Sequence, residues 1–253
     1  MARVNMTHQT DSDLPTITLL SAAVATIHVW KDVGIILSRR PPDQAGAEYL
    51  IAKYEDGSCP PWRAANLLGC IGHEIGYDTA LRILLDAPGQ DAESYAGVAM
   101  VRIDPHRATK DLTNLLATAE QRRSRAGAAW GLASVPGSSE VIQSLFRAAL
   151  ERRAPFSPVA SALEKGSRES VEVLECVVQV LTTPLKADDA KRRRLLIEVA
   201  RNAVSFARQK QEPTALMKRI RSQVQEILVD SEHRVGKKER EDLEEWFAPG
   251  PGK

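Results

Sequence analysis

The sequence predicts an all-α fold, a right-handed α-solenoid of helical hairpins with a helical cap at each end. A helical phrase rich in small residues recurs about every thirty-one residues, starting at Arg63, Tyr95, Arg125 and Phe156. Aliphatic residues recur at a similar spacing on the segments that follow, at Leu81, Leu112, Leu145 and Val177. Aromatic residues make up only 5% of the chain and no run alternates β-branched residues, so strands are not expected. A fixed period of this size is typical of stacked helical repeats.

The N-terminal part is predicted to be a disordered segment, residues 1–13, followed by a helical cap, residues 14–57. The most apolar stretch runs from Ile17 to Trp30 and is expected to form a buried first helix that extends to Leu37. A second short helix is predicted from Gln44 to Glu55. The apolar stretch is shorter than the roughly twenty residues that span a bilayer, and no basic segment precedes it, so we expect a cytoplasmic protein.

Residues 58–183 are predicted to hold about four hairpins, each pairing a small-residue helix with a helix that bears aliphatic residues. Small residues let neighbouring backbones approach closely. One hairpin alone cannot bury its apolar face, so several must stack. The predicted helix ends are marked by Pro60-Pro61, Gly72 with Gly76, Pro88-Gly89, Asp104-Pro105 and Pro136-Gly137-Ser138.

The two best copies of the phrase run from Arg63 to Gly69 and from Arg125 to Gly131, each followed by a leucine-bearing helix. This pattern resembles the HEAT-repeat superfamily, in particular the short bacterial HEAT-like repeats also found in phycobilisome lyases. The resemblance covers roughly residues 58–182 and implies stacked hairpins that display a surface. The fourth copy carries Pro158, which predicts a short or kinked first helix.

The second helix of each hairpin is predicted to line the concave face of the solenoid and to bind a protein partner. The candidate residues on that face are Arg82, Lys110, Asn114, Gln143, Arg147, Glu172 and Gln179.

The C-terminal part is predicted to form basic helices over residues 184–247 and a disordered tail over residues 248–253. From Lys186 to Arg221 there are eleven basic and four acidic residues, although the whole chain has a net charge of only +1. Arginines recur every seven residues there and line up along one helix face. The stripe consists of Arg194, Arg201 and Arg208, and Arg192 and Arg193 widen it at one end. It suits nucleic-acid phosphates, an acidic protein face, or simply a solvated helix surface.

Histidines and cysteines do not form a recognisable catalytic or metal-binding pattern. His73-Glu74 is similar to the iron-binding pairs of some HEAT-repeat hydroxylases, but the pair occurs once and is expected in a solvated turn. His28 is expected to be a core or interface residue on the first helix. The scattered cysteines, Cys59, Cys70 and Cys176, are expected to be reduced.

Two enzymatic relatives with similar repeats, phycobilin lyases and HEAT-like alkylpurine DNA glycosylases, offer alternative functions. The glycosylases use a concave cluster of aromatic and acidic residues, whereas the four tryptophans of this chain are scattered along its sequence. We therefore expect no catalytic residues, no metal and no cofactor. The sequence favours a non-enzymatic scaffold or adaptor that binds a protein partner, with nucleic-acid binding as the main alternative.

Overall fold

The computed structural model describes residues 14–26, 28–86 and 91–135, most positions from 138 to 162, and Ser222, Lys237 and Glu241. Helix accounts for 78% of this part and no strand occurs in it, so the described part of the fold is all-α. The helices that can be bounded there are α1 Thr16–Ala25, α2 Trp30–Leu37, α3 Gln44–Glu55, α4 Pro61–Ile71, α5 Gly76–Asp86, α6 Ala92–Ile103, α7 Pro105–Thr118, α8 Arg122–Leu132 and α9 Ser139–Leu150.

The chain divides into two compact units, residues 1–135 and residues 136–253. In the first unit α4 and α5 form one hairpin and α6 and α7 form the next. The first helices of successive hairpins lie side by side, because α6 packs against α4 on one flank and against α8 on the other. Helix α1 packs against both α2 and α3, and α2 and α3 each contact α4. In the second unit α9 is the bounded helix, and residues 157–159 and 161–162 are helical as well.

Small residues set the spacing between the first helices. A Cβ atom added at Gly131 on α8 would lie 2.7 Å from the carbonyl oxygen of Gly97 on α6. A Cβ atom at Gly69 on α4 would lie 2.8 Å from the Cα atom of Ala99 on α6. The backbones therefore meet where the phrase places alanine and glycine, which is the close approach that the sequence predicts.

Most of the predicted helix ends are confirmed within the described residues. Pro61 is the first residue of α4, and Gly72 ends that helix in the left-handed conformation with a φ of 70°. Asp104 separates α6 from α7, and its side chain accepts a hydrogen bond from the Arg107 backbone N–H at 2.9 Å. Ser138 caps α9 through the N–H of Val141. Pro88-Gly89 and Pro136-Gly137 lie outside the described residues.

The N-terminal cap differs from the prediction in one respect. The second predicted helix is confirmed as α3, Gln44–Glu55. The single helix expected from Ile17 to Leu37 is wrong, because α1 ends at Ala25 and the backbone of Thr26 is extended. His28 consequently lies exposed in the turn before α2 and not in the core. Two features favour ending α1 at this point. Thr26 is β-branched, and the Arg63 side chain donates hydrogen bonds to the last carbonyls of α1.

The aliphatic repeat is confirmed only in part. Leu112 and Leu145 are fully buried, whereas Leu81 is partly exposed and its neighbours Ala80 and Leu84 are buried on α5. The turn from α4 to α5 spans Gly72 to Ile75, but Asp104 alone joins α6 to α7. Because the turns differ in length, a constant sequence spacing does not select the same face of both second helices. Val177 lies outside the described residues.

Candidate interaction surfaces

Helices α3, α5 and α7 are joined by arginines that lie on tyrosine rings. An arginine of α5 contacts a tyrosine of α3, and an arginine of α7 contacts a tyrosine of α5. In both cases the residue after the tyrosine is acidic and pairs with the same arginine. We call the resulting pair of contacts the arginine–tyrosine surface. It comprises Tyr54, Glu55, Tyr77, Asp78, Arg82, Arg107 and Asp111.

The contact between α5 and α7 is held from several directions. The guanidinium of Arg107 lies 4.0 Å from the ring centroid of Tyr77 and donates to Asp78 over 2.7 Å. Its Nε atom is 3.6 Å from a carboxylate oxygen of Asp111. The same Asp111 carboxylate accepts a hydrogen bond from the Tyr77 hydroxyl at 2.9 Å. Arg107 is therefore fixed in one orientation although 49% of its side chain remains exposed.

The surroundings raise the pKa of both Tyr77 and Arg107, which favours the neutral form of the tyrosine and the charged form of the arginine. Burial raises the pKa of the Tyr77 hydroxyl well above its usual value, and its hydrogen bond to Asp111 adds to the effect. The hydrogen bond to Asp78 raises the pKa of Arg107, which is charged at any physiological pH in any case. The contact thus combines a neutral, buried tyrosine with a permanent cation at the surface.

The contact between α3 and α5 follows the same pattern more loosely. Arg82 donates to Glu55 over 3.0 Å, and its guanidinium lies 5.7 Å from the ring centroid of Tyr54. The Arg82 side chain is 48% exposed. Among the described residues, hydrogen-bond acceptors are found for only one of its terminal nitrogens, so its Nε and second terminal nitrogen make no hydrogen bond there.

The predicted partner-binding residues fall into three groups. Arg82, Lys110 and Asn114 are exposed on α5 and α7 of the first unit, two helices whose side chains contact each other. Arg147 is exposed on α9 of the second unit, and Gln143 is on the same helix with a side chain outside the description. The remaining candidates lie outside the described residues, namely Glu172, Gln179, Arg192, Arg193, Arg194, Arg201 and Arg208.

Three aromatic residues that are far apart in sequence meet in the structure. The ring centroids of Trp30 and Trp62 are 5.1 Å apart in a T-shaped contact. Tyr95 lies 6.2 Å from each of them. The interpretation of the tryptophans as scattered is therefore wrong for this pair, because the packing of α2, α4 and α6 gathers them. We call these three side chains the aromatic cluster; all are half-buried.

The arginine that opens the repeated phrase binds helix ends, a role that the sequence analysis missed. Arg63 is only 6% exposed and donates to the carbonyl oxygens of Ala23 and Val24 at the end of α1, over 3.1 and 2.8 Å. Arg125 donates to the carbonyls of Ala119 and Glu120 just beyond α7, each over 2.7 Å. The signal was available, since both arginines occupy the same position of the phrase.

The second copy of the phrase departs from this pattern. It opens with Tyr95 in place of an arginine, and that tyrosine joins the aromatic cluster. For the arginine–tyrosine surface the signal is the dipeptide of a tyrosine and an acid, which occurs at Tyr54-Glu55 and again at Tyr77-Asp78.

The cysteines and the His73-Glu74 pair that the structure describes make contacts within the fold and within a turn. Cys59 and Cys70 are free thiols, and burial raises the pKa of Cys59 to about 11. Burial also raises the pKa of Cys70, against the opposing effect of the Arg102 guanidinium that contacts its sulfur. His73 and Glu74 lie in the turn between α4 and α5, as predicted, and the His73 Nδ1 atom accepts from the N–H of Ile75. The described part of the chain holds no group of three residues placed to bind a metal ion.

Comparison of the chain with protein-family models, with curated proteins and with solved structures finds no match. The resemblance to HEAT-like repeats therefore stays a prediction from the phrase itself. Among the described helices, none combines the length and apolar character that crossing a membrane requires.

Proposed function

We propose that this protein is a non-enzymatic scaffold or adaptor, built as a HEAT-like solenoid, that binds a protein partner through its arginine–tyrosine surface. The observation that carries the proposal is the state of Arg107 and Arg82. Both guanidiniums rest on tyrosine rings and are paired with carboxylates, yet about half of each side chain is exposed. Each guanidinium thus has a fixed position and remains accessible to a partner.

Arg107 is preorganised for binding, because its guanidinium is already held by neighbouring side chains. A free arginine carries about 2 kcal/mol of side-chain entropy, much of which is lost when a partner immobilises it. Arg107 has already lost most of that freedom to Tyr77, Asp78 and Asp111. A partner that binds it meets a smaller entropic cost, and arginine and tyrosine are the residue types that concentrate binding energy in interfaces.

The surface also offers hydrogen-bond donors in a fixed geometry. Glu55 engages one terminal nitrogen of Arg82, which leaves the remaining N–H groups for acceptors of a partner. Lys110 and Asn114 are exposed on the neighbouring α7 and extend the same row. A continuous row of side chains from successive hairpins is the form of binding surface that helical repeat proteins use.

The experiment is an affinity purification from the native host with nuclease present, followed by calorimetry with the partner once it is identified. We expect Arg82→Glu to weaken the partner's affinity at least about tenfold, because it removes a fixed donor and places a negative charge beside Glu55. Arg39→Glu, the same charge reversal at an exposed position beyond α2, is the matched control and should leave affinity unchanged. Equal affinities of the Arg82→Glu and Arg39→Glu proteins would contradict the assignment of the surface.

The same experiment separates the alternative of nucleic-acid binding through Arg194, Arg201 and Arg208. Binding through those arginines would be lost with nuclease and would weaken steeply between about 50 and 200 mM salt. A partner that survives both treatments supports a protein scaffold.

A further inference from the structure

The arginine–tyrosine surface carries no excess of positive charge, although both of its cations are arginines. Its charged side chains are Arg82 and Arg107, which are cationic, and Glu55, Asp78 and Asp111, which are acidic. Lys110 adds one exposed cation beside it, while Asp86 and Asp104 add two carboxylates at the ends of α5 and α6. Lys53 and Asp56 pair with each other over 3.0 Å. These groups are normally ionised at neutral pH, so the surface as a whole does not attract anions.

The carboxylates of the surface are at least as exposed as the arginines that they pair with. Asp78 has an exposed fraction of 79%, against 49% for Arg107. Glu55 is 54% exposed, against 48% for Arg82. A negatively charged group that approaches either guanidinium therefore comes close to an exposed carboxylate, and like charges placed together in an interface are unfavourable. A positively charged group is opposed in turn by the two arginines.

The arginines nevertheless keep N–H groups that no acceptor uses in the part of the chain that the structure describes. The contacts of Arg107 with carboxylates involve its Nη2 and Nε atoms, whereas Arg82 donates through Nη2 alone. Neither guanidinium makes a further hydrogen bond to the described residues. A backbone carbonyl of a partner can accept from these N–H groups, since its oxygen has two lone pairs and no net charge. The charge of the arginine strengthens such a bond, and no further carboxylate is brought to the surface.

We propose that the arginine–tyrosine surface binds an uncharged segment of its protein partner, whose backbone carbonyl oxygens accept hydrogen bonds from Arg82 and Arg107. The proposal rests on the proposed function and specifies the chemistry of the partner. The arginines then act as fixed donors and not as a site for acidic groups. Binding should tolerate salt, because salt screens the attraction between exposed charges and has little effect on hydrogen bonds to neutral carbonyls.

The test is a selection of random displayed peptides on the immobilised full-length chain, with the Arg82→Glu chain used to remove peptides that do not depend on the surface. We expect the retained peptides to be no richer in charged residues than the unselected library. Calorimetry with the tightest of them should show an affinity that changes less than about threefold between about 50 and 300 mM salt. Asp86→Lys reverses an exposed charge four positions from Arg82 on α5 and should change the affinity less than about twofold.

Two results would overturn this proposal and leave the proposed function standing, since binding would still depend on Arg82. One is enrichment of aspartate and glutamate in the retained peptides, with tighter binding to the Asp86→Lys chain, which would assign an acidic partner to the surface. The other is enrichment of lysine and arginine, with weaker binding to that chain. If no retained peptide depended on Arg82, the surface itself would be wrongly assigned and both proposals would fall.

Discussion

At the scale of single residues, the most informative side chain is a buried cation without a carboxylate partner among the described residues. Arg63 is 6% exposed, and its hydrogen-bond acceptors are the carbonyls of Ala23 and Val24. The last carbonyls of a helix lack partners within the helix, and a buried end needs donors from elsewhere. Arg63 supplies them to α1 from forty residues away and so joins the N-terminal cap to the first hairpin.

The first prediction concerns this contact. Arg63→Ala should lower the free energy of unfolding by about 2–4 kcal/mol, because it leaves buried carbonyls unpaired and opens a cavity beside Trp62. Arg125→Ala is the matched control, since Arg125 is less buried and its carbonyl partners are closer to solvent, and should cost about 1 kcal/mol or less. Chemical denaturation of the three proteins measures the difference. Equal losses would show that the end of α1 does not depend on Arg63.

At the scale of helices, the first helices of neighbouring hairpins contact each other through glycines. A turn glycine is required by its backbone conformation, whereas these glycines are required because a neighbouring backbone leaves no room for a side chain. Gly97 and Gly131 have ordinary helical conformations, and the restriction comes from the opposing backbone. In the middle of a helix glycine costs up to about 1 kcal/mol relative to alanine, so these positions lose local stability to gain close packing. Alanine would restore the helix propensity and force α6 and α8 apart.

The second prediction follows from that balance. In Gly131→Ala the new methyl group would lie 2.6 Å from Leu112 and 2.7 Å from the Gly97 carbonyl oxygen, and we expect a loss of about 1–3 kcal/mol. In Gly34→Ala, a helical glycine of α2, the nearest atom is the Cys70 sulfur at 3.3 Å. That variant should be neutral or slightly stabilised. Thermal unfolding compares them, and a Gly131→Ala protein as stable as Gly34→Ala would refute the packing argument.

At the scale of the whole molecule, local signals predicted more than long-range ones. Helix ends at Pro61, Gly72 and Asp104 were predicted because each residue acts on its own backbone within one turn. The aromatic cluster was missed because Trp30, Trp62 and Tyr95 are brought together by the rotation of three helices, which spacing alone does not fix. Leu81 is only partly buried because the turns between helices differ in length, which a constant sequence spacing does not reveal. The exposure of Arg82, Lys110 and Asn114 could be predicted from the sequence, because hydrophobic periodicity identifies the polar side of an amphipathic helix.

The last prediction tests whether the first compact unit is autonomous. Residues 1–135 contain α1 to α8 and the contacts of the arginine–tyrosine surface and the aromatic cluster. The shortened chain keeps the contacts that α1 to α8 make with one another, so we expect it to fold by itself. We expect a shortened chain of residues 1–135 to show helical circular dichroism and one cooperative thermal transition. In it Arg63→Ala should lower the transition temperature as it does in the full-length protein. A shortened chain that is helical but melts without cooperativity would mean that the contacts among α1 to α8 do not suffice for a folded unit.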